Sequence, residues 1–478
     1  MAPKPTLEQS NIVDAFVPAD KNLVVEAGAG CGKTSVLKMA AAAAPNRRGL
    51  YIAYNKAIQV EAAKSFPTSV TCKTAHGLAF GAIGRLYAHK LKAPRMKSED
   101  VARLLGINSP IYTSDNIIRP AQIARIVMST VGNFTRSAHT NILRQPVPRI
   151  PGFDDPEAMA ALGAEIPLLA LKAWEDICNT GGRLPFSHDC YLKMWTLSDP
   201  QLSQYDYILL DEAQDSNPPV AKMVENQRHA QLVLVGDSSQ SIYGWRGAQD
   251  AMAKFDGVRL TLSQSFRFGP AVAEEANKWL HYLDAPLRLI GFDQINSRIT
   301  TLAEPDAILC RTNGTTITHV MEELENGRRV ALVGGGDQIR KLAEAAIQLK
   351  NGYGCSHPEL YAFKTWAELQ DYVDEEEGSD LRSFVNLIDS HGADIVLETV
   401  SRLVPEDRAD VTVSTGHKAK GREWHRVTVA DDFPEPKPTG DGKPGRIPRT
   451  AAMLAYVTVT RAQYELDNAG LAWINHYL

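Results

Sequence analysis

The sequence predicts an α/β fold with two doubly wound parallel sheets, and three observations support this. Short continuous apolar runs, typical of strands buried on both faces, recur along the chain. Segments with helical spacing separate these runs, as expected when helices join parallel strands. The runs also fall into an early set and a late set, so we expect one sheet for each set.

Each set contains four predicted strands. The early strands are Leu23–Val25, Leu50–Ala53, Tyr207–Leu210 and Leu232–Val235, and the late strands are Ala307–Cys310, Val330–Val333, Val411–Val413 and Val427–Val429. Mostly helical patterns fill the stretches between and within the sets. We therefore predict a first α/β domain from 1–85 and 196–255, interrupted by a helical insertion over 86–195. A second α/β domain comprises 256–345 and 404–478, with a reduced insertion over 346–403.

Composition indicates an ordinary globular chain and excludes several functional classes. The 478 residues suffice for about three domains, and 44% of them are hydrophobic and 22% charged. No apolar run has the length of a membrane span, so no membrane partner is expected. The six scattered cysteines favour neither a zinc nor an iron–sulfur site and suit a reducing cytosol. Because the formal net charge is −5, any nucleic-acid contact must come from a local groove.

The most informative segment follows the first predicted strand. It consists of small residues and ends in Lys-Thr-Ser before a helical pattern: Ala27, Gly28, Ala29, Gly30, Cys31, Gly32, Lys33, Thr34 and Ser35. In such a phosphate-binding loop, backbone N–H groups and a helix N-terminus surround phosphate oxygens. Lys33 would reach the β- and γ-phosphates, and the Thr34 hydroxyl would be a ligand of Mg²⁺. The first glycine usual in this motif is Ala27 here. This segment alone predicts ATP or GTP as the ligand.

A pair of carboxylates follows the apolar strand that ends at Leu210. Asp211 and Glu212 would lie at the carboxyl edge of the sheet, where α/β folds bind ligands. We expect Asp211 to hold Mg²⁺ and Glu212 to act as the base that polarises the attacking water. An isolated Asp-Glu pair is more often a surface turn, but its position after a strand and a phosphate loop favours catalysis.

Further motifs, in order along nearly the whole chain, resemble those of superfamily 1 DNA helicases of the UvrD-like group, most closely the F-box DNA helicase branch. The matching segments are Leu7–Gln9, Tyr54–Ala57, Thr74–His76, Val235–Ala248, Ser265–Arg267, Ser414–Trp424 and Tyr456–Ala462. The resemblance implies two RecA-like motor domains, helical accessory insertions, and ATP and Mg²⁺ as cofactors. Movement along single-stranded DNA with 3′-to-5′ polarity is implied as well.

The resemblance also assigns residues to roles. Residues implied at ATP, beyond the phosphate loop, are Gln9 as the adenine reader, Phe266 under the adenine, Glu423, and the catalytic residues Gln240, Arg267 and Arg461. Residues implied at DNA are Asn55, Lys56, Thr74, His76, Tyr243, Trp245, Arg246, Thr415 and His417. The side chains suit these roles, because a glutamine amide both donates and accepts and arginine presents forked donors to phosphate oxygens. If Arg267 and Arg461 belong to the second domain, they would reach ATP only when the domains close.

Simpler structural roles stand beside three of these assignments. His76 and His417 have no metal-ligand companions at suitable spacing and could be ordinary structural histidines. Trp245 could be a core residue, although its polar and glycine-rich surroundings favour stacking on a DNA base.

The expected partners are single-stranded DNA, its junctions with duplex DNA, and unidentified replication or repair proteins. A monomer in a bacterial or phage-infected cytoplasm is expected. The alternative is a DNA-stimulated ATPase that displaces proteins or scaffolds a replication or recombination complex without processive unwinding; the small second insertion leaves it open. A nucleotide switch or metabolic kinase is a weaker third reading.

Overall fold

The computed structural model describes residues 4–94, 96–112, 117–148, 156–244, 250–355, 357, 360, 363–374, 379–440 and 442–478. Its strands are β1 (Leu23–Ala27), β2 (Gly49–Ala53), β3 (Val70–Thr74), β4 (Ile111–Tyr112), β5 (Ile117–Ile118), β6 (Tyr207–Leu210), β7 (Gln231–Gly236), β8 (Val258–Leu262), β9 (Arg298–Ile299), β10 (Ala307–Cys310), β11 (Val330–Leu332), β12 (Val411–Thr415), β13 (Trp424–Val429) and β14 (Ala462–Asp467).

The α-helices are α1 (Leu7–Phe16), α2 (Lys33–Ala43), α3 (Lys56–Ser65), α4 (Ala75–Ala82), α5 (Ala88–Leu91), α6 (Ser98–Leu105), α7 (Pro120–Arg136), α8 (Pro156–Cys178), α9 (His188–Leu197), α10 (Pro218–Glu225), α11 (Pro270–Tyr282), α12 (Asn313–Glu325), α13 (Asp337–Lys350), α14 (Trp366–Asp374), α15 (Ser379–His391), α16 (Ala393–Ser401), α17 (Gly416–Ala419) and α18 (Arg449–Val459). Short 3₁₀ turns include Ala213–Asp215 and Ser238–Gln240. Across the described ranges, no helix is both long and apolar enough to cross a membrane.

Two six-stranded sheets confirm the predicted α/β class. The strand orders are β3-β2-β6-β7-β1-β8 and β11-β12-β10-β13-β14-β9, and the paired strands in both sheets run parallel. All eight predicted strand segments lie in these sheets, four in each. The small antiparallel pair β4 and β5 lies within the helical insertion.

The chain divides into two compact units. Unit 1 comprises the residues up to Ala27 and Gly32–Leu262, and unit 2 comprises Gly28–Cys31 with Ser263–Leu478. The boundary after Leu262 lies later than the predicted one at 255/256, because β8 pairs in parallel with β1 and completes the first sheet. Its alternating exposure gave no continuous apolar run that would predict a buried strand.

The segment predicted as a second insertion, 346–403, shares one core with the second sheet. Side chains from α14, α15 and α16, including Leu369, Ile388 and Val396, join the same buried cluster as Ile308 and Val413 of the sheet. The assignment of 346–403 as a reduced accessory insertion stays a prediction.

Lysines stabilise helix ends within the first insertion. Lys193 of α9 is 1% exposed, and its Nζ donates to the backbone oxygens of Ser137 at 2.7 Å and His139 at 2.6 Å, just beyond α7. Burial lowers the pKa of Lys193 to about 8. Two further lysines act similarly, because Lys90 donates to carbonyls at the end of α8 and Lys172 donates to the last carbonyl of α6. The contacts of Lys90 and Lys172 satisfy carbonyls that a helix leaves without an internal partner, whereas Lys193 anchors the chain that follows α7.

Candidate active site

The phosphate loop and the acidic pair follow the carboxyl ends of strands in the first sheet. β1 ends at Ala27, β6 ends at Leu210 and β7 ends at Gly236, and these three strands are neighbours in the order β6-β7-β1. Parallel strands place their carboxyl ends along one edge, where α/β folds bind ligands. Residues from three distant parts of the sequence therefore meet at this edge of unit 1.

Lys33 and Thr34 begin α2 and face the acidic pair. Lys33 Nζ lies 3.4 Å from Glu212 Oε1, and Thr34 Oγ1 donates to Asp211 Oδ2 at 3.1 Å. The helix begins at Lys33, because Gly32 adopts the left-handed conformation at φ 79° and forms the N-cap. These four predicted residues are thus brought together within unit 1.

Asp211 is a buried carboxylate held from both sides. Glu212 N donates to its Oδ1 at 2.9 Å, and the hydroxyl of Tyr51 on β2 donates to its Oδ2 at 2.6 Å. Burial and the neighbouring Glu212 raise the pKa of Asp211, and burial likewise raises the pKa of Tyr51. A cation at this carboxylate would offset the cost of burying its charge. The Thr34 hydroxyl and the Asp211 carboxylate are oxygen ligands of the type Mg²⁺ takes, so they could hold this ion.

Glu212 occupies an unusual backbone conformation. Its φ is 51°, in the left-handed region that non-glycine residues seldom adopt. Gln214 Nε2 donates to Glu212 Oε2 at 2.6 Å and orients the carboxylate. Strained residues of this kind are found where surrounding contacts fix a functional side chain.

A hydrogen-bond chain joins Glu212 to the turn that contains Gln240. Gln214, which donates to Glu212, also accepts from Asp237 N at 3.1 Å through its Oε1. Asp237 Oδ2 in turn accepts from Gln240 Nε2 at 2.6 Å. The predicted base Glu212 and the predicted catalytic residue Gln240 are therefore linked through two buried side chains, Gln214 and Asp237.

The tip of the phosphate loop, Gly28–Cys31, groups with unit 2. The backbone N–H of Ala29 donates to the Tyr456 hydroxyl at 3.1 Å, and its carbonyl accepts from Ser265 Oγ at 2.9 Å. Gly30 has φ +75°, and a Cβ there would lie 2.6 Å from both Arg267 Cβ and Ser265 Oγ. This position therefore requires glycine both for its backbone conformation and for space.

The predicted arginines of unit 2 make different contacts. Arg267 Nε donates to Glu423 Oε2 at 2.6 Å, so these two predicted residues are paired. Arg461 is 1% exposed and donates to the backbone oxygens of Val457 and Arg422. Phe266, by contrast, is 42% exposed, which leaves its ring accessible for stacking.

Several residues predicted at adenine or DNA serve as helix caps. Gln9 is buried and accepts from Thr6 N in a capping box at the start of α1. The side chains of Asn55, Thr74 and Thr415 accept from backbone N–H groups at the starts of α3, α4 and α17. These contacts give each residue a local structural role, and the roles at adenine and DNA stay predictions.

The remaining predicted DNA residues have varied surroundings. His76 Nε2 lies 3.3 Å from Asp189 Oδ1, and this contact, with Arg136 nearby, lowers the pKa of Asp189. Lys56 contacts Gln59 on α3, whereas Tyr243 and His417 are partly buried. Trp245 and Arg246 lie outside the described residues.

Sequence reasoning missed Tyr51 and Glu26. Tyr51 lies in a continuous apolar strand, where a tyrosine gives no signal beyond core packing. Glu26 is a carboxylate within the apolar strand β1, directly before the phosphate loop. An acidic residue in a buried strand is a signal that could have identified it.

The comparisons with known proteins agree with this arrangement. The family model for the UvrD/REP helicase N-terminal domain matches residues 193–256, which include the acidic pair and the Gln240 turn. Residues 193–256 are thus similar to the N-terminal domain of UvrD-like helicases. The F-box DNA helicase protein 1 of Schizosaccharomyces pombe is 29% identical over 96% of this chain and 57% of its own length. For the F-box DNA helicase 1 of Gallus gallus, the identity is 28% over 96% of this chain and 48% of the relative.

A bacterial relative matches a smaller part of the chain. The DNA helicase II of Escherichia coli is 24% identical over 53% of the chain and 37% of the relative. The predicted resemblance to UvrD-like helicases and their F-box branch is thus confirmed. The chain spans about half the length of the yeast and chicken relatives. Because these come from a yeast and a bird, the predicted bacterial or phage setting is not supported.

Proposed function

We propose that this chain is the motor of an ATP-dependent DNA helicase or translocase that moves along single-stranded DNA. The observation that carries the proposal is the pairing of Lys33 with Glu212 and of Thr34 with Asp211. A loop lysine, a hydroxyl and two strand-end carboxylates form a set suited to phosphoryl transfer to water.

In the proposed reaction, Lys33 exchanges one anionic partner for another. Its ammonium neutralises Glu212 in the structure, and arriving ATP would draw it to the β- and γ-phosphates. Glu212 is then free to accept the proton of the attacking water while Gln214 keeps its carboxylate oriented. Thr34 and Asp211 would hold Mg²⁺, which supplies charge neutralisation on the phosphate oxygens when bound.

The names of the relatives, together with the motif resemblance, support DNA as the partner. We propose single-stranded DNA and its junctions with duplex DNA as substrates, with 3′-to-5′ movement in replication, repair or recombination. A monomer is the proposed functional state, and replication or repair proteins are the proposed partners. Arg267, Arg461 and the predicted DNA residues are proposed to act as the resemblance implies.

One observation favours the non-unwinding alternative as a second candidate. Side chains of α14, α15 and α16 pack into the core of unit 2, which leaves less of this segment to contact duplex DNA. A DNA-stimulated ATPase that displaces proteins would need no such contact.

The test is ATP hydrolysis with and without single-stranded DNA in wild type, Lys33→Ala and Lys21→Ala. Lys21 is an exposed lysine before the amino end of β1, whereas Lys33 follows its carboxyl end. The proposal is supported if single-stranded DNA stimulates ATP hydrolysis in wild type and in Lys21→Ala, and if this stimulation is lost in Lys33→Ala. Hydrolysis indifferent to DNA would refute it.

Strand displacement on duplexes with 3′ or 5′ single-stranded tails separates the two candidates. Unwinding only from a 3′ tail supports the helicase with the proposed polarity. DNA-stimulated hydrolysis without displacement on either substrate supports the non-unwinding ATPase.

A further inference from the structure

Glu26 is a partly buried carboxylate, and among the described residues Ser238 binds both of its oxygens. It is the fourth residue of β1 and precedes Ala27 at the entrance to the phosphate loop. Ser238 N donates to its Oε1 at 2.7 Å, and Ser238 Oγ donates to its Oε2 at 2.8 Å. A carboxylate that accepts both bonds fixes this serine in position and orientation.

Ser238 begins the 3₁₀ turn Ser238–Gln240, which carries the predicted catalytic residue Gln240. The turn is closed by Asp237, whose Oδ1 accepts from Ser239 N at 3.1 Å and whose Oδ2 accepts from Gln240 Nε2 at 2.6 Å. Glu26 therefore ties the start of this turn to the strand that leads into the phosphate loop. Because Glu26 and Gly236 are register partners in the sheet, the tie reinforces the contact between β1 and the end of β7.

The surroundings of Glu26 oppose its negative charge. Burial and the nearby carboxylate of Asp237 raise its pKa to about 7, and Asp250 acts in the same direction. Its register partners on the flanking strands, Gly236 on β7 and Thr261 on β8, do not titrate. Near neutral pH the carboxylate and the carboxylic acid are thus both populated.

We propose that Glu26 is a positioning residue whose carboxylate form holds the Ser238–Gln240 turn ready to couple ATP hydrolysis to DNA. This inference rests on the proposed function. The acid form carries an O–H that donates rather than accepts. The Ser238 hydroxyl must then accept a hydrogen bond from Glu26 instead of donating one, and the pair of charge-assisted contacts is lost. Protonation of Glu26 accordingly loosens the turn and lowers the coupling.

The test is the ratio of DNA-stimulated to basal ATP hydrolysis, measured between about pH 6 and pH 8.5, the range around the pKa of Glu26. In Glu26→Gln the amide accepts from Ser238 N and donates to Ser238 Oγ, so it reproduces the acid form at every pH. We expect the wild-type ratio to rise several-fold as the pH increases. The midpoint of this rise should lie near pH 7, in line with the pKa of Glu26. The Glu26→Gln ratio should stay flat at the wild-type low-pH value, with the affinity for a fluorescent ATP analogue changed by less than about twofold.

Two further variants complete the experiment. Glu61→Gln removes an exposed carboxylate on α3 and should keep the wild-type pH profile. Ser238→Ala removes one of the two donors to Glu26 and should lower the ratio above pH 7 toward the low-pH value. A wild-type pH profile in Glu26→Gln or in Ser238→Ala would overturn the inference. If wild type is not stimulated by DNA at any pH, the proposed function itself fails.

Discussion

The hydroxyl of Tyr51 provides a direct test of how the buried Asp211 is stabilised. Tyr51 is fully buried, and its hydroxyl donates to Asp211 Oδ2 at 2.6 Å. Tyr51→Phe removes this hydrogen bond and keeps the ring, which packs against Phe66 with centroids 4.7 Å apart. Thr34 and the backbone of Glu212 still contact the carboxylate, so the loss is confined to one donor.

The size of the effect follows from the charge of the acceptor. A hydrogen bond to a charged group contributes about 1.5–3 kcal/mol, and a buried group that loses its partner bears the desolvation cost. We therefore expect Tyr51→Phe to lower the free energy of unfolding by about 2 kcal/mol. For a unit of this size that corresponds to a fall of about 4–8 °C in the melting temperature of unit 1.

Tyr207 offers a matched control in the same sheet. It is also fully buried, but within the described residues its hydroxyl has no hydrogen-bond partner. Tyr207→Phe removes an unsatisfied polar atom, so its stability should be unchanged or higher. Scanning calorimetry of the three proteins without nucleotide makes the comparison. Equal shifts for both variants, or a more stable Tyr51→Phe, would refute the reasoning.

Three other predictions concern catalysis, DNA contact and pH. Glu212→Gln should retain binding of a fluorescent ATP analogue, but its rate of ATP hydrolysis should fall by about 10²–10⁴-fold, because an amide cannot accept the proton of the attacking water. Near-normal hydrolysis would exclude Glu212 as the base. Trp245→Ala should weaken the affinity for single-stranded DNA by about 1–3 kcal/mol, the contribution of one base–aromatic stack. A fluorescence-anisotropy titration measures this affinity, and circular dichroism checks that the variant is folded. Unchanged affinity would contradict the stacking role. Lys193 has a pKa of about 8 in the fold against 10.5 as its ordinary value. The unfolded chain thus holds more protons in that interval, and the free energy of unfolding should rise with pH there. Urea titrations at several pH values should show a smaller rise of the free energy of unfolding with pH in Lys193→Met than in wild type. The same slope in both proteins would argue against the burial of Lys193 as the cause of the rise.

The central strands could be predicted because their sequences are continuously apolar. Tyr207–Leu210 is buried at every position and lies between two other strands, so its pattern differs from that of any surface segment. The edge strands β3 and β8 each contain one buried residue among partly buried and exposed ones. Short amphipathic segments of this kind resemble loops or helix ends, and only pairing with a neighbouring strand distinguishes them.

The candidate site was predicted where the chemistry depends on local sequence. Lys33, Thr34, Asp211 and Glu212 each follow a strand end in a recognisable motif, and the structure brings them together. The contacts of Tyr51 and Glu26 arise from pairing between strands distant in sequence. Nothing in a single segment could therefore show which carboxylate or serine each would meet.

The lysine contacts in the first insertion have a consequence for how that region opens. Lys90, Lys172 and Lys193 reach carbonyls 54 to 89 residues away in the sequence. The ends of α8 and α6 are therefore completed by Lys90 and Lys172 from other helices, and neither end can fray at its last turn without releasing an ammonium group. Lys193 anchors the chain that follows α7 in the same way. Because Lys172 itself belongs to α8, amide protons in the final turns of α6 and α8 should exchange with solvent at a common rate, as one cooperative unit rather than as two separate helices.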